Sequence, residues 1–192
     1  MRLPRPATAL ASAALVAILG ACAAVPIPHT VDLRAQMAQT TGTVTTPIEE
    51  GQADVVDLRL PTEDGACLDF SDTAPGATVQ SAQLQWIVDA TYDGPDLTGK
   101  LQARAYAAGA GDDVFASQNT LGPVVTINLD KTTTRLAGAA NLNPNQLAAV
   151  NDREVCWGVW VTGEDVEALE SGDAAIDYDV KQLRLRITFS II

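Results

Sequence analysis

The sequence predicts an all-β protein, an antiparallel β-sandwich of immunoglobulin-like or jelly-roll-like type. Three observations carry that reading. From Ser81 to Tyr92 apolar residues recur at every second position: Ala82, Leu84, Trp86, Val88, Ala90 and Tyr92, with only Ile87 out of step. A period of two held this long is a strand with one face buried and the other wet. The C-terminus repeats the pattern, with Leu183, Leu185, Ile187, Phe189 and Ile191 set against Gln182, Arg184, Arg186, Thr188 and Ser190. Along the chain, roughly eight or nine short strand-like runs are separated by turn signals, which favours a sandwich over a parallel fold.

Taken in order, His29 to Gln36 alternates Val31, Leu33 and Ala35 with polar residues and reads as a first strand. The Thr-rich stretch 40–47 gives a second extended segment or an edge. Val55 to Leu60 follows, then a turn at Pro61 to Gly65 and a short strand with Cys67, Leu68 and Phe70. Asp93-Gly94-Pro95-Asp96 is a strong turn signal. The alternating run Leu97 to Ala108 after it predicts an antiparallel hairpin with the strand before. Residues 108–113 form a loop, and Gly122-Pro123 opens a strand over Val124 to Leu129, with a weaker one from Leu136. Val155 to Val161, VCWGVWV, is apolar on both faces and predicts a central strand covered on both sides.

Two short helices are expected, near 144–151 and 163–171. The first has Asn143 as cap and Pro144 in the first helical position. The second rests on Thr162-Gly163-Glu164-Asp165 as a cap with acids in the first turn, and on Gly172 as a stop.

At 192 residues, 47% of them hydrophobic, the chain is long enough for one domain with a full core. Its net charge is −12. Arg2 and Arg5 precede Cys22, so the remainder carries 24 acidic and 12 − 2 = 10 basic side chains. That balance argues against nucleic acid, whose phosphates are neutralised by Lys and Arg. It argues equally against docking on anionic lipid through a basic patch.

The first residues carry two arginines and then an alanine-rich apolar run from Ala7 to Gly20, too short for a comfortable membrane span. The sequence Leu19-Gly20-Ala21-Cys22 resembles the lipobox of bacterial lipoproteins. The resemblance implies a signal peptide over 1–21, cleavage before Cys22 and acylation of its sulfur. Two or three acyl chains exceed what marginal single-chain anchoring provides. Ala23 stands where an Asp would be the inner-membrane retention signal, so the family pattern favours the outer membrane in a cell with two. Residues 22–29, with Pro26 and Pro28, read as a semi-stiff lipidated tether, and 30–192 as the single domain.

With Cys22 acylated, Cys67 and Cys156 remain, an even pair in an oxidising compartment. Bonded, they would close a loop worth ~4–5 kcal/mol in the chain-entropy model; unbonded, they would be two buried thiols. The order Cys67, Trp86, Cys156 resembles the Cys…Trp…Cys of immunoglobulin domains, although Glu154 stands where that family places its corner tyrosine. Leu84 to Gly163 is similar to the chordin-type repeat domain through WIVDATYDGPDLTG, GPVV and NPNQLAAV. That family's His-x-His signature is absent near Arg104 to Tyr106, so no ligand role carries over.

Chemistry finds little support. His29 is the only histidine and lies next to the tether, which leaves a Ser-His-Asp or Cys-His pair without its base. One histidine and a paired cysteine set leave too few zinc ligands. No phosphate-cradling glycine motif occurs. Asp93-Gly94-Pro95-Asp96 and Gly111-Asp112-Asp113 are oxygen-rich turns without calcium-loop spacing and read as solvated turns. No catalytic residue, metal or cofactor is therefore expected. Trp157 and Trp160, three apart on a strand, point to opposite faces, so at most one is exposed to stack on a sugar or fill a partner's pocket. Trp160, on the face of Cys156, is the first candidate contact; Tyr106, on the polar side of its strand with Gln102 and Arg104, is the second. The expected function is a lipid-anchored envelope protein that binds another envelope protein or a glycan in a structural or assembly role and catalyses nothing; the alternative is a carbohydrate- or solute-binding module, with or without assistance from calcium.

Overall fold

The computed structural model describes residues 25–53, 56–72 and 77–191, and these form two five-stranded antiparallel sheets packed face to face. The first sheet holds β1 (Val25–Asp32), β2 (Thr41–Ile48), β5 (Val79–Asp93), β8 (Thr134–Asn141) and β10 (Gly172–Ile191). The second holds β3 (Asp57–Leu60), β4 (Ala66–Asp69), β6 (Lys100–Ala108), β7 (Thr120–Ile127) and β9 (Glu154–Glu164). β1 and β2 share one edge of β10, and β3 and β4 share one edge of β9. Counting each pair as one position, the orders β1/β2–β10–β5–β8 and β3/β4–β9–β6–β7 are those of a jelly roll. The sandwich is as expected, and its order is that of the jelly-roll alternative.

β10 is the spine of the first sheet, and a bulge divides it. Ala174, Ile176, Tyr178 and Val180 are buried on even positions, but Leu183, Leu185, Ile187 and Phe189 on odd ones. Such a switch needs one extra residue. The register supplies it: Val180 faces Val88 and Gln182 faces Ile87, with Lys181 between. At that break β1 ends, and a 3-10 turn over Leu33–Gln36 steps the chain across to β2. Arg34 Nε donates to the Val180 carbonyl at 2.5 Å, and Leu33 is fully buried beneath.

Four expectations are corrected. β5 and β6 form no hairpin, because they belong to different sheets. The segment after Asp93 turns a corner, tied where the Tyr92 hydroxyl donates to the Pro95 carbonyl at 2.5 Å, and both strands then face inward. No helix forms over 163–171. β9 runs on to Glu164, Asp165 takes a left-handed φ of 52°, and Glu167 and Ala168 make isolated bridges to Ala53 and Leu97. Buried Val166 and Ala168 hold this stretch to the core, and Gly172 opens β10. Residues 25–29, expected in the tether, are strand. Pro26 and Pro28 are tolerated because β1 is an edge, where a missing N–H can face outward. The immunoglobulin-like cysteine arrangement is absent too, since Cys67 and Cys156 sit opposite each other in one sheet while Trp86 lies in the other. The signal peptide over 1–21 and Cys22 lie outside the described residues.

The expected first helix, α1 (Pro144–Asn151), forms with a full capping box. The Asn143 side chain accepts from the backbone of Asn145 and Gln146, and Gln146 Oε1 accepts from the Asn143 N–H. Buried Gln146 also donates to the Ala107 carbonyl at 2.7 Å, fixing the helix against β6. Among the described residues, no helix is long and apolar enough to cross a membrane.

The main core lies between the sheets, with Trp86, Trp157, Leu84, Leu101 and Leu185 at its centre. Trp86 occupies the space its cross-strand partner leaves: a Cβ on Gly138 would overlap the indole.

Candidate functional site

A second, smaller apolar cluster sits outside the sandwich, on the outer face of β9 and β6. Odd residues of β9, from Val155 to Val161, enter the main core, so Cys156, Gly158, Trp160 and Thr162 face outward. Gln102, Arg104, Tyr106 and Ala108 of β6 face the same way. The pairing lays these out as rows: Arg59 beside Trp160 beside Arg104, and Asp57 beside Thr162 beside Gln102.

The loop after β6 supplies the missing ring. It turns through Gly109 to Asp113, and Phe115 folds back over the sheet. Asp113 holds the return, its carboxylate accepting from the Phe115 N–H at 3.0 Å and its carbonyl from the Asn119 amide at 2.8 Å. Phe115 then lies directly on Gly158, where a Cβ would stand 2.6 Å from its ring. This accounts for the motif Trp157-Gly158-Val159-Trp160: one indole in, one indole out, and a bare backbone between them for a third ring.

Tyr106 and Phe115 meet edge-on with centroids 5.5 Å apart, and Trp160 lies 6.1 Å from the first and 6.3 Å from the second. Edge-on and tilted geometries suit rings with negative faces and positive rims. The Arg59 guanidinium stacks on both Phe115 and Trp160 at 5.1 Å, a cation–π arrangement. Asp57 orients the pair: it accepts from Trp160 Nε1 at 2.5 Å and lies 3.8 Å from Arg59 Nε. Burial, the larger influence, raises the Tyr106 phenol's pKa, against the opposing pull of the Arg104 guanidinium.

The structure therefore brings the two candidate contacts together while giving them different exposure. Trp160 is half-buried at the cluster's rim. Tyr106 does lie on the polar side of its strand, but Phe115 covers it to 5% exposure. Trp157 is wholly buried. Cys67 and Cys156 are disulfide-bonded between β4 and β9, with Cys156 forming part of the cluster's floor. Beside Trp160, a shallow groove of about 180 Å³ runs between Arg104, Gln102, Thr162 and the exposed Val124 of β7.

Phe115, Arg59 and Asp57 escaped the sequence reading. Phe115 sits in a loop without periodicity, and only Gly158 hinted that a ring needed room. The oxygen-rich turns have local employment: Asp113 organises its loop, and Asp93 lies 3.5 Å from Lys131. His29 is on β1 in the opposite sheet, its ring 6.1 Å from Phe189. Among the described residues, no three His, Cys, Asp or Glu side chains are grouped to hold a metal ion.

No protein-family model matches the chain, and comparison with curated proteins finds no match. Among solved structures it is similar to those of infectious bursal disease virus strains Gt and Gx, each at 10% identity. For Gt the TM-score is 0.39, covering 86% of this chain and 32% of that one; for Gx it is 0.31, with 87% and 37%. The chain thus spans about a third of those proteins' length, and at such scores the likeness carries no argument.

Proposed function

We propose that this protein is an exported, lipid-anchored jelly-roll domain that binds a cell-envelope partner in a structural or assembly role and performs no chemistry. The observation that carries the reading is the aromatic cluster of Tyr106, Phe115 and Trp160 outside a sheet whose inner face already holds the core. A two-layer sandwich needs one buried face per sheet. Rings on a second face, with a half-buried tryptophan and arginines at the rim, have the composition of a contact surface, where Trp, Tyr and Arg dominate binding energy.

Anchoring through Cys22 rests on the lipobox resemblance. Since β1 begins at Val25, only Ala23 and Ala24 separate Cys22 from the sheet, a span of at most about 10 Å. The domain would stand directly on its membrane, outer in a two-membrane cell, with no long tether.

The test is crosslinking of the tagged full chain in intact cells, with Cys22→Ala as the unanchored control. One dominant protein partner, lost in the control, is the expected result. Recovery without any protein partner would contradict it and leave the second reading, a carbohydrate- or solute-binding module. The groove beside Trp160, walled by hydrogen-bonding side chains, favours that second reading.

A further inference from the structure

We infer that the groove beside Trp160 is a subsite for one acidic pyranose unit, such as a uronic acid, of an anionic polysaccharide. This deepens the second, carbohydrate-binding reading above and rests on that face being a contact surface. The groove combines three chemistries that a charged sugar ring needs together. The Trp160 indole lines it, and a pyranose stacks its C–H face on such a ring. In the adjoining row the Thr162 hydroxyl both donates and accepts, and Gln102, whose amide nitrogen already donates to Glu164, keeps its carbonyl oxygen as an acceptor. Arg104 supplies the charge.

Arg104 differs from its neighbours. Arg59, one strand away, is balanced by Asp57 and stacked on two rings. Arg104 is exposed and is paired with no carboxylate among the described residues. Glu164, which accepts from Gln102, and Asp57, beside Thr162, border the same face, so what singles out Arg104 is this unpaired guanidinium fork and not the local net charge. The planar fork fits a carboxylate with two parallel hydrogen bonds. At about 180 Å³ the depression has room for a single ring lying flat.

The deciding experiment titrates the full-length chain with trigalacturonate and with its fully methyl-esterified form, which keeps the sugar and removes the charge. The readout is tryptophan fluorescence, to which Trp86 and Trp157 contribute a constant because both are buried. Trigalacturonate is expected to bind roughly tenfold or more tightly than the ester, the value of one charge-assisted hydrogen bond. The preference should shrink as salt is raised. Arg104→Gln should bring the two forms to equal affinity, and Arg104→Lys should keep part of the difference; unchanged circular dichroism would show both variants folded. Equal binding of both forms, binding of neither, or a preference surviving Arg104→Gln would overturn the inference. So would equal competition by an oligo-aspartate peptide, which would make this an acidic-peptide site. A chain that ignores trigalacturonate yet crosslinks a protein through this face loses only the saccharide; a chain showing the reverse loses only the protein partner.

Discussion

The two sheets bury their inner faces alike, but their outer faces differ. Outside the β1/β2–β10–β5–β8 sheet, small polar contacts close on one another. Gln85 donates to Gln83, Gln83 to Asn141, and Thr91 bonds Thr133. Asp89 takes a bidentate grip from Arg135 at 2.8 and 3.0 Å. Most of these groups satisfy one another, although Asp179 Oδ1 is buried there without a hydrogen-bond partner and an open, mainly polar depression lies beside Gln83, Asn141 and Arg186. Outside the other sheet stand three rings, Tyr106 and Phe115 each buried to 5% exposure and Trp160 half-buried, an apolar surplus that the first sheet's outer face lacks. Two faces of equal architectural standing thus carry different chemistry, and the surplus marks where a partner is to be sought.

The comparison makes an ordered set of predictions. Trp157→Ala opens the inner core and should cost about 3–5 kcal/mol in urea unfolding. Removing the disulfide with Cys67→Ala and Cys156→Ala should cost about 2–5 kcal/mol, since the bond closes a loop of sequence separation 89. Phe115→Ala, buried on the outer cluster, should cost about 3 kcal/mol, the low end for a buried ring and less than Trp157→Ala, while Ile87→Ala on the polar face should stay at about 0.5 kcal/mol. Equal costs for Phe115 and Trp157 would make the outer rings a second structural core and remove the contrast.

Two titrations sharpen it further. Burial first, then the charges of Asp96, Asp93 and Glu170, push the Tyr92 phenol up to about 12. Its folded pKa lies above the ordinary 10.0, so its stabilisation is complete below pH 10 and is lost as pH rises toward 12. The melting temperature should fall across that window in the native chain and fall less in Tyr92→Phe. On the polar face the hydrogen bonds from Arg135 hold the Asp89 carboxyl below its ordinary 3.8. That stabilisation is present above 3.8 and lost as pH drops below it. Arg135→Gln should reduce stability at neutral pH only slightly, as for other exposed pairs.

What was readable in the sequence follows from periodicity. β5 and the second half of β10 announce themselves because one face of each is buried along its length. The first half of β10 was hidden by the bulge at Lys181, which moves its apolar residues to the other parity. The helix expected over 163–171 failed because acids and a glycine serve a left-handed turn as well as a helix cap, and buried Val166 and Ala168 decided between them. The false hairpin had a similar origin: a turn signal says that the chain reverses, not that it returns to the same sheet. At the candidate site, strand parity placed Trp160 with Cys156, and Tyr106 with Gln102 and Arg104, while the pairing of β6 with β9 makes these one face. Parity could not supply Phe115, which arrives from a loop, or Arg59, whose relation to Trp160 depends on the pairing of β3 with β9.

The central claim is that contact is made through the face of Trp160 and not through the polar face. A photo-reactive side chain placed at Val124, at the groove's rim, and separately at Ile87, on the opposite sheet, tests it in intact cells. Crosslinked product from Val124 and none from Ile87 is the predicted result. Product from Ile87 alone, or equal product from both, would contradict the account.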